Sequence, residues 1–339
     1  MTHELKLIIE KALAFQSRGM PCILATVVAL DGSSYRKPGV RMLITEDGQM
    51  TGAVSGGCVE RDVYEQAKSV FKDGIPKMMT YDGRYRLGCE GLLYILIEPL
   101  VITEAFKEAF GLSLRTRKPM QIVTRFDRQE GTSTAYGTVV SFGEGEALAL
   151  RQDDAAKQNH ELSVFEQTLN PCFQLYIFGG EHDAVKLGTM ASILGWEVHV
   201  ITSVRDPKTL ADFPGATSVI AQAPELVELT IDHDTAVVIM NHSYALDLQY
   251  VLKLAPLKPR YIGLLGSRKR QEKLIEDSLA HNPELSIDML ESLYSPAGLH
   301  IGSVTPEEIA LSILGEILAI YRGVTPASLR DLPPRIPVV

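Results

Sequence analysis

From Gln174 to Tyr321 the chain repeats one rhythm: a short apolar run, a turn, then a longer amphipathic segment. Strands are predicted at Gln174–Phe178, Glu197–Ile201, Thr217–Ile220, Thr235–Met240 and Tyr261–Leu265. Helices are predicted at Asp183–Leu194, Pro224–Thr230, Tyr244–Leu254, Arg268–Leu279 and Pro306–Tyr321. The last has a start signal, with Thr305 at N-cap, Pro306 at N1 and Glu308 closing a capping box. Repeated strand–helix units need crossover connections and imply a doubly wound parallel sheet. Ligands of such a sheet sit at the carboxyl ends of its strands.

The N-terminal half reads differently. A helix from about Glu4 to Arg18 carries Leu5, Ile8, Ile9, Ala12 and Leu13 on one stripe, and Gly19 suits its C′ position. Strands are predicted at Cys22–Leu30, Arg41–Thr45, Met50–Val54, Lys77–Tyr81, Leu92–Ile97 and Met120–Arg125. One or two hairpins are predicted between Gly131 and Leu150, and a turn-rich loop covers 31–39. This half is expected to be α+β on a mostly antiparallel or mixed sheet. The polar stretch Arg151–Asn170 is read as the boundary. The expectation is an α/β protein of two domains, an α+β domain over 1–165 and a Rossmann-like domain over 171–339, which suits 339 residues.

A net charge of -9 argues against generic nucleic-acid binding, because phosphate neutralisation needs basic surface. No apolar run approaches the roughly 18 residues of a membrane span. The start, Met1-Thr2-His3-Glu4-Leu5-Lys6, lacks a basic-then-apolar signal pattern, so a cytoplasmic setting with reduced thiols is expected. The four cysteines, Cys22, Cys58, Cys89 and Cys172, are too sparse for a disulfide scaffold and show no CxxC pair.

Two of those cysteines are bracketed by glycine. Ser55-Gly56-Gly57-Cys58-Val59-Glu60 follows a short strand and opens an amphipathic helix through Val63, Tyr64, Ala67, Val70 and Phe71. A thiol there meets orphan N–H groups and the positive end of the helix dipole, which favour thiolate. The glycines let another molecule approach the backbone. The same pattern also suits a small buried cysteine after a tight turn. Leu87-Gly88-Cys89-Glu90-Gly91 repeats the bracketing ahead of a strand, or marks a tight bend. Cys22 and Cys172 adjoin apolar strands and read as structural.

In the second half, Phe178-Gly179-Gly180-Glu181-His182-Asp183-Ala184 occupies the place of a dinucleotide fingerprint. Gly179 and Ala184 fit, whereas Glu181 stands where a pyrophosphate needs glycine. The second strand ends in Thr202-Ser203-Val204-Arg205 without the usual acid, so NAD or FAD binding is doubtful. Gly266-Ser267-Arg268-Lys269-Arg270 offers glycine, hydroxyl and cations where a strand turns into a helix. That turn suits a phosphate or is merely a solvated basic first turn. His182, His242 and His300 fall in loops near strand ends, where a cluster would hold a metal and lone residues would be plain surface.

Taken together, the chain resembles the XdhC/CoxI family, the accessory factors of xanthine dehydrogenase and related molybdenum hydroxylases. The matching text is Gly32–Met42, Gly52–Glu60, the Cys89 region, Tyr261–Arg268, Ser295–Gly302 and Thr305–Ile313. The resemblance implies a chaperone that binds molybdenum cofactor (molybdopterin) transiently. Such a chaperone holds the cofactor while a cysteine desulfurase supplies its sulfido ligand, then inserts it into the apo-hydroxylase. It is not the hydroxylase, and purine oxidation is the natural process served. A homodimer is compatible with the family, though no heptad demands one. On this reading Gly56, Gly57, Cys58, Glu60 and Cys89 form the cofactor contact, with Cys58 or Cys89 touching molybdenum or carrying a persulfide. Arg36, Lys37 and Arg41, or Gly266, Ser267 and Arg268, would pair with the pterin phosphate, and Gly179 and His182 would mark a further contact. The alternatives are a nicotinamide- or flavin-dependent oxidoreductase and a protein-only dehydrogenase subunit. Three departures cluster at the Rossmann ligand face. Gly179-Gly180-Glu181-His182 replaces Gly-x-Gly-His, Ser203-Val204-Arg205 replaces Asp-x-Arg, and Asn241-His242 replaces Thr-His.

Overall fold

The computed structural model describes residues 2–32, 37–82, 91–143, 145, 147–151, 162–257 and 259–331. Two compact units emerge, Met1–Pro171 and Cys172–Val339.

The first unit runs α1 (Thr2–Gln16), β1 (Cys22–Asp31), β2 (Arg41–Thr45), β3 (Met50–Gly52), α2 (Cys58–Asp73), β4 (Lys77–Asp82) and β5 (Leu92–Leu100). It continues with α3 (Glu104–Arg115), β6 (Met120–Phe126), β7 (Gly131–Thr132), β8 (Gly137–Phe142), β9 (Leu148–Ala149) and β10 (Ser163–Leu169). Among the described residues these strands form a six-stranded sheet, β3-β2-β1-β5-β4-β7, and a four-stranded sheet, β10-β6-β8-β9. Every pairing is antiparallel.

Strand β1 is buried on both faces, and its period of two divides it between two cores. Cys22 and Leu24 join Leu5, Ile8, Phe106 and Phe110 from α1 and α3. Ile23, Ala25 and Val27 meet α2 through Val59, Val63, Ala67 and Val70. The helical spacing of those four puts them on one stripe. Each full burial contributes roughly 1.5–3 kcal/mol for a side chain of valine size. Gly74, at φ 68°, ends α2 in the left-handed conformation, and its N–H donates to the Val70 carbonyl.

Two elements here depart from the sequence reading. The polar stretch taken as a boundary contains β10, paired with β6 from Ser163↔Phe126 to Leu169↔Met120. As an edge strand it leaves several side chains in water, so its composition looks like a linker. Helix α3 has no counterpart in the sequence reading; Thr103 caps it, accepting from the Phe106 N–H.

The second unit runs β11 (Gln174–Phe178), α4 (His182–Ile193), β12 (Glu197–Thr202), β13 (Ser218–Ala221) and β14 (Thr235–Ile239). Then come α5 (Tyr244–Leu254), β15 (Tyr261–Leu264), α6 (Arg268–His281), α7 (Ile287–Glu291) and α8 (Pro306–Arg322). Its sheet is parallel in the order β13-β12-β11-β14-β15. Leu175, Ile177, Val198 and Val238 pack against α4 and α8 on one face. Tyr176, Phe178, Val237 and Ile239 pack against α5 and α6 on the other. That is the doubly wound arrangement, with its switch point between β11 and β14. The helix predicted at Pro224–Thr230 shrinks to one 3₁₀ turn, Pro224–Leu226. Beyond it the Thr230 backbone is held by the Tyr176 hydroxyl and the Gln174 amide, and Val227 is extended and buried. The Thr305–Glu308 capping box at α8 forms as predicted.

Candidate functional site

In the first unit the chain leaves β3 at Gly52 and turns through Ser55, Gly56 and Gly57 into α2, whose first residue is Cys58. Gly57 sits at φ 49° in the N-cap position, and among the described residues no side chain caps the helix. Among the described residues, a methyl group built on Gly56 or Gly57 would meet nothing within 4 Å, and both glycines are exposed, so this side of the turn is open to an incoming molecule. Glu60 holds the turn from behind. One of its carboxylate oxygens accepts the Ser55 N–H at 2.8 Å. Its other oxygen is buried without a partner among the described residues, and the side chain is only 9% exposed. The turn therefore joins a helix start without a side-chain cap among the described residues, a thiol-bearing first residue and a carboxylate with acceptor capacity in reserve.

Of the three cations expected to pair with the pterin phosphate, two are described, and they differ in burial. Lys37 is exposed, and Arg36 lies outside the described residues, as does Cys89. Arg41 points inward and is 6% exposed. Its Nη1 donates to the Gly39 carbonyl and to Gln167 Oε1, each at 2.8 Å, while Nε and Nη2 find no partner among the described residues. Burial pulls its pKa down to about 10, against the opposing field of Glu98. Glu98 is itself fully buried and accepts from the Thr138 N–H (3.0 Å) and hydroxyl (2.5 Å). Burial raises its carboxyl pKa, and Thr138, Arg151 and Arg41 act against that rise. Gln167, on β10, is the partner sequence reasoning missed. Gly39 is required beside it, since a Cβ at this φ of 99° would sit 2.3 Å from the Gln167 amide nitrogen.

In the second unit a cleft of about 550 Å³ opens at the carboxyl ends of β11, β12, β13 and β14. Gly179 ends β11 at φ 143°, and a Cβ there would lie 2.7 Å from the Met240 carbonyl oxygen, so the close approach of β11 and β14 demands glycine. Glu181 is the N-cap of α4 but makes no side-chain capping bond, and it lines the cleft. His242 and Asn241 line it as well. His182 stands on the exposed first turn of α4, outside the cleft lining.

The basic turn after β15 is also used differently from a simple phosphate cradle. Ser267 caps α6, accepting the Arg270 N–H at 3.4 Å. The Arg270 side chain folds over Gly266, where a Cβ would fall 2.7 Å from its Cδ, and pairs with Asp247 through Nε (3.1 Å) and Nη2 (2.5 Å). Asp247 is 0% exposed. Burial raises its pKa, and the Arg270 bonds counteract that. Its other oxygen takes the Asn241 amide N–H at 3.2 Å. Arg268 remains exposed, and none of Gly266, Ser267 and Arg268 lines the cleft. Among the described residues no group of three or more His, Cys, Asp or Glu is arranged to hold a metal ion, and no helix is long and apolar enough to cross a membrane.

Comparison with known proteins adds to this picture. The model of the XdhC and CoxI family matches residues 15–82, and the XdhC Rossmann domain matches residues 175–317. The chain is 30% identical to a probable xanthine dehydrogenase subunit of Bacillus subtilis, covering 89% of this chain and 94% of that protein. It is 25% identical to the molybdenum cofactor insertion chaperone PaoD of Escherichia coli, over 94% of this chain and 90% of that one. A crystal structure described as that of a xanthine dehydrogenase from Bacillus halodurans superposes with a TM-score of 0.75 at 28% identity, covering 95% of this chain and 97% of its own. With both family models matched in order and a relative of this similarity spanning nearly its whole length, the chain belongs to the XdhC/CoxI family.

Proposed function

We propose that this protein is an accessory factor of a xanthine dehydrogenase-type molybdenum hydroxylase. It binds molybdenum cofactor, holds it for sulfuration and inserts it into the apo-enzyme. The observation that carries this reading is the open Gly56-Gly57 turn at the start of α2, with Cys58 as the first helical residue and Glu60 locking the turn from inside. The name of the Escherichia coli relative points the same way.

The cofactor is cargo here. A thiolate at a helix start offers sulfur to molybdenum, or carries a persulfide delivered by a cysteine desulfurase, and the helix dipole lowers the cost of its charge.

The name of the Bacillus subtilis relative suggests a second reading, a dehydrogenase subunit that contacts only protein. Delivery separates the two. Chain preloaded anaerobically with cofactor should activate a xanthine dehydrogenase-type apo-enzyme and leave it as a separate species. Stable co-purification with the large hydroxylase chain, and no activation by preloaded protein, would favour the subunit reading.

A further inference from the structure

The cleft of the second unit is rich in acceptors. Glu181 presents a carboxylate that makes no capping bond at the start of α4, and Glu225 contributes another. Asp247 takes the amide N–H of Asn241, which leaves the Asn241 carbonyl oxygen to accept. The charge of the lining is negative: Glu181, Asp206 and Glu225 stand against Arg205 alone. Lys208 pairs with Asp206 at 2.8 Å, and its charge also acts on Glu181.

A dinucleotide fold places pyrophosphate against the middle glycine of its first turn and uses the helix N-terminus to hold the charge. In this chain Glu181 already supplies a negative charge at that helix start. A phosphate brought there would meet like charge, with the favourable dipole already engaged. The location, at the switch point of a doubly wound sheet, and the volume of about 550 Å³ remain those of a small-molecule site. Val204, Pro224 and Leu246 add apolar lining for a flat ring.

We infer that this cleft binds an unphosphorylated nucleoside and discriminates against its phosphorylated forms. The ring N–H or amino groups and the sugar hydroxyls are donors, matching the carboxylate of Glu181 and the carbonyl oxygen of Asn241. Arg270 acts at one remove: by pairing with Asp247 it fixes the carboxylate that orients Asn241. The inference uses residues of the second unit alone, so it and the proposed cofactor role can fail separately.

Calorimetric titration of the full chain with adenosine, guanosine, inosine and cytidine, their 5′-monophosphates and NAD⁺ tests this. At least one nucleoside should bind saturably at one-to-one stoichiometry, with its monophosphate weaker by about tenfold or more. Glu181→Gln should weaken the nucleoside and strengthen the monophosphate, closing the gap. The inference is overturned if no nucleoside binds, if a monophosphate or NAD⁺ binds the wild type as tightly as the nucleoside, or if Glu181→Gln leaves the preference unchanged.

Discussion

Single residues in this protein are governed by what burial does to polar groups. Arg41 is held inside the first unit by two bonds from one nitrogen, and Gln167 supplies one of them. Removing that acceptor leaves a buried guanidinium N–H unpaired. Gln167→Ala should therefore lower stability by about 1–3 kcal/mol in urea titration. Gln167→Glu, which keeps an oxygen in reach, should restore it. Cys22 shows burial acting on a thiol. It is 7% exposed, and desolvation pushes its pKa from the ordinary 9.0 to about 11. The folded state thus keeps the proton while the unfolded chain loses it. Stability from this group is present below pH 9 and is lost as pH rises toward about 11. Urea midpoints measured across that window should fall less steeply for Cys22→Ala than for wild type; equal slopes would contradict the assignment. Arg41 also marks a limit of legibility. In sequence it stands with Arg36 and Lys37 as one basic stretch. Its inward direction depends on Gln167, 126 residues away, which no local pattern could announce.

Elements were legible where local signals and burial agree. The capping box of α8 could be read from Thr305-Pro306-Glu307-Glu308, and the helix starts there because those groups satisfy its first N–H donors. Its apolar face, Ala310, Ile313, Leu314 and Ile317, covers one side of the parallel sheet. Thr305→Ala should lower stability by about 1 kcal/mol in urea titration. No change would mean that packing alone sets this helix start. By contrast, β10 and the segment after Pro224 follow long-range partners. Strand β10 exists because β6 offers an edge, and its exposed side chains disguise it as a linker. Thr230 is held by Gln174 and Tyr176 on a neighbouring strand, overriding a sequence that reads as helical. His182 and His242 illustrate the same limit at the cleft: both sit near strand ends in sequence, yet only His242 lines the cavity.

Each unit of the molecule has a turn into a helix that is accessible from outside. The first presents an open, uncapped helix start at Gly56-Gly57-Cys58. The second presents a cleft whose first turn carries Glu181 where a dinucleotide needs glycine. The departures from the family pattern that the sequence shows all fall on the second unit, and the cysteine turn is free of them. This separation favours cofactor handling at the first unit and argues against a nicotinamide-dependent oxidoreductase. The central claim, that the protein binds molybdenum cofactor at the cysteine turn, is tested most directly by anaerobic titration with that cofactor, wild type beside Cys58→Ala and Cys22→Ala. Saturable one-to-one binding that weakens in Cys58→Ala and persists in folded Cys22→Ala is the predicted result. Absence of binding by wild type, or equal loss in both variants, would contradict it.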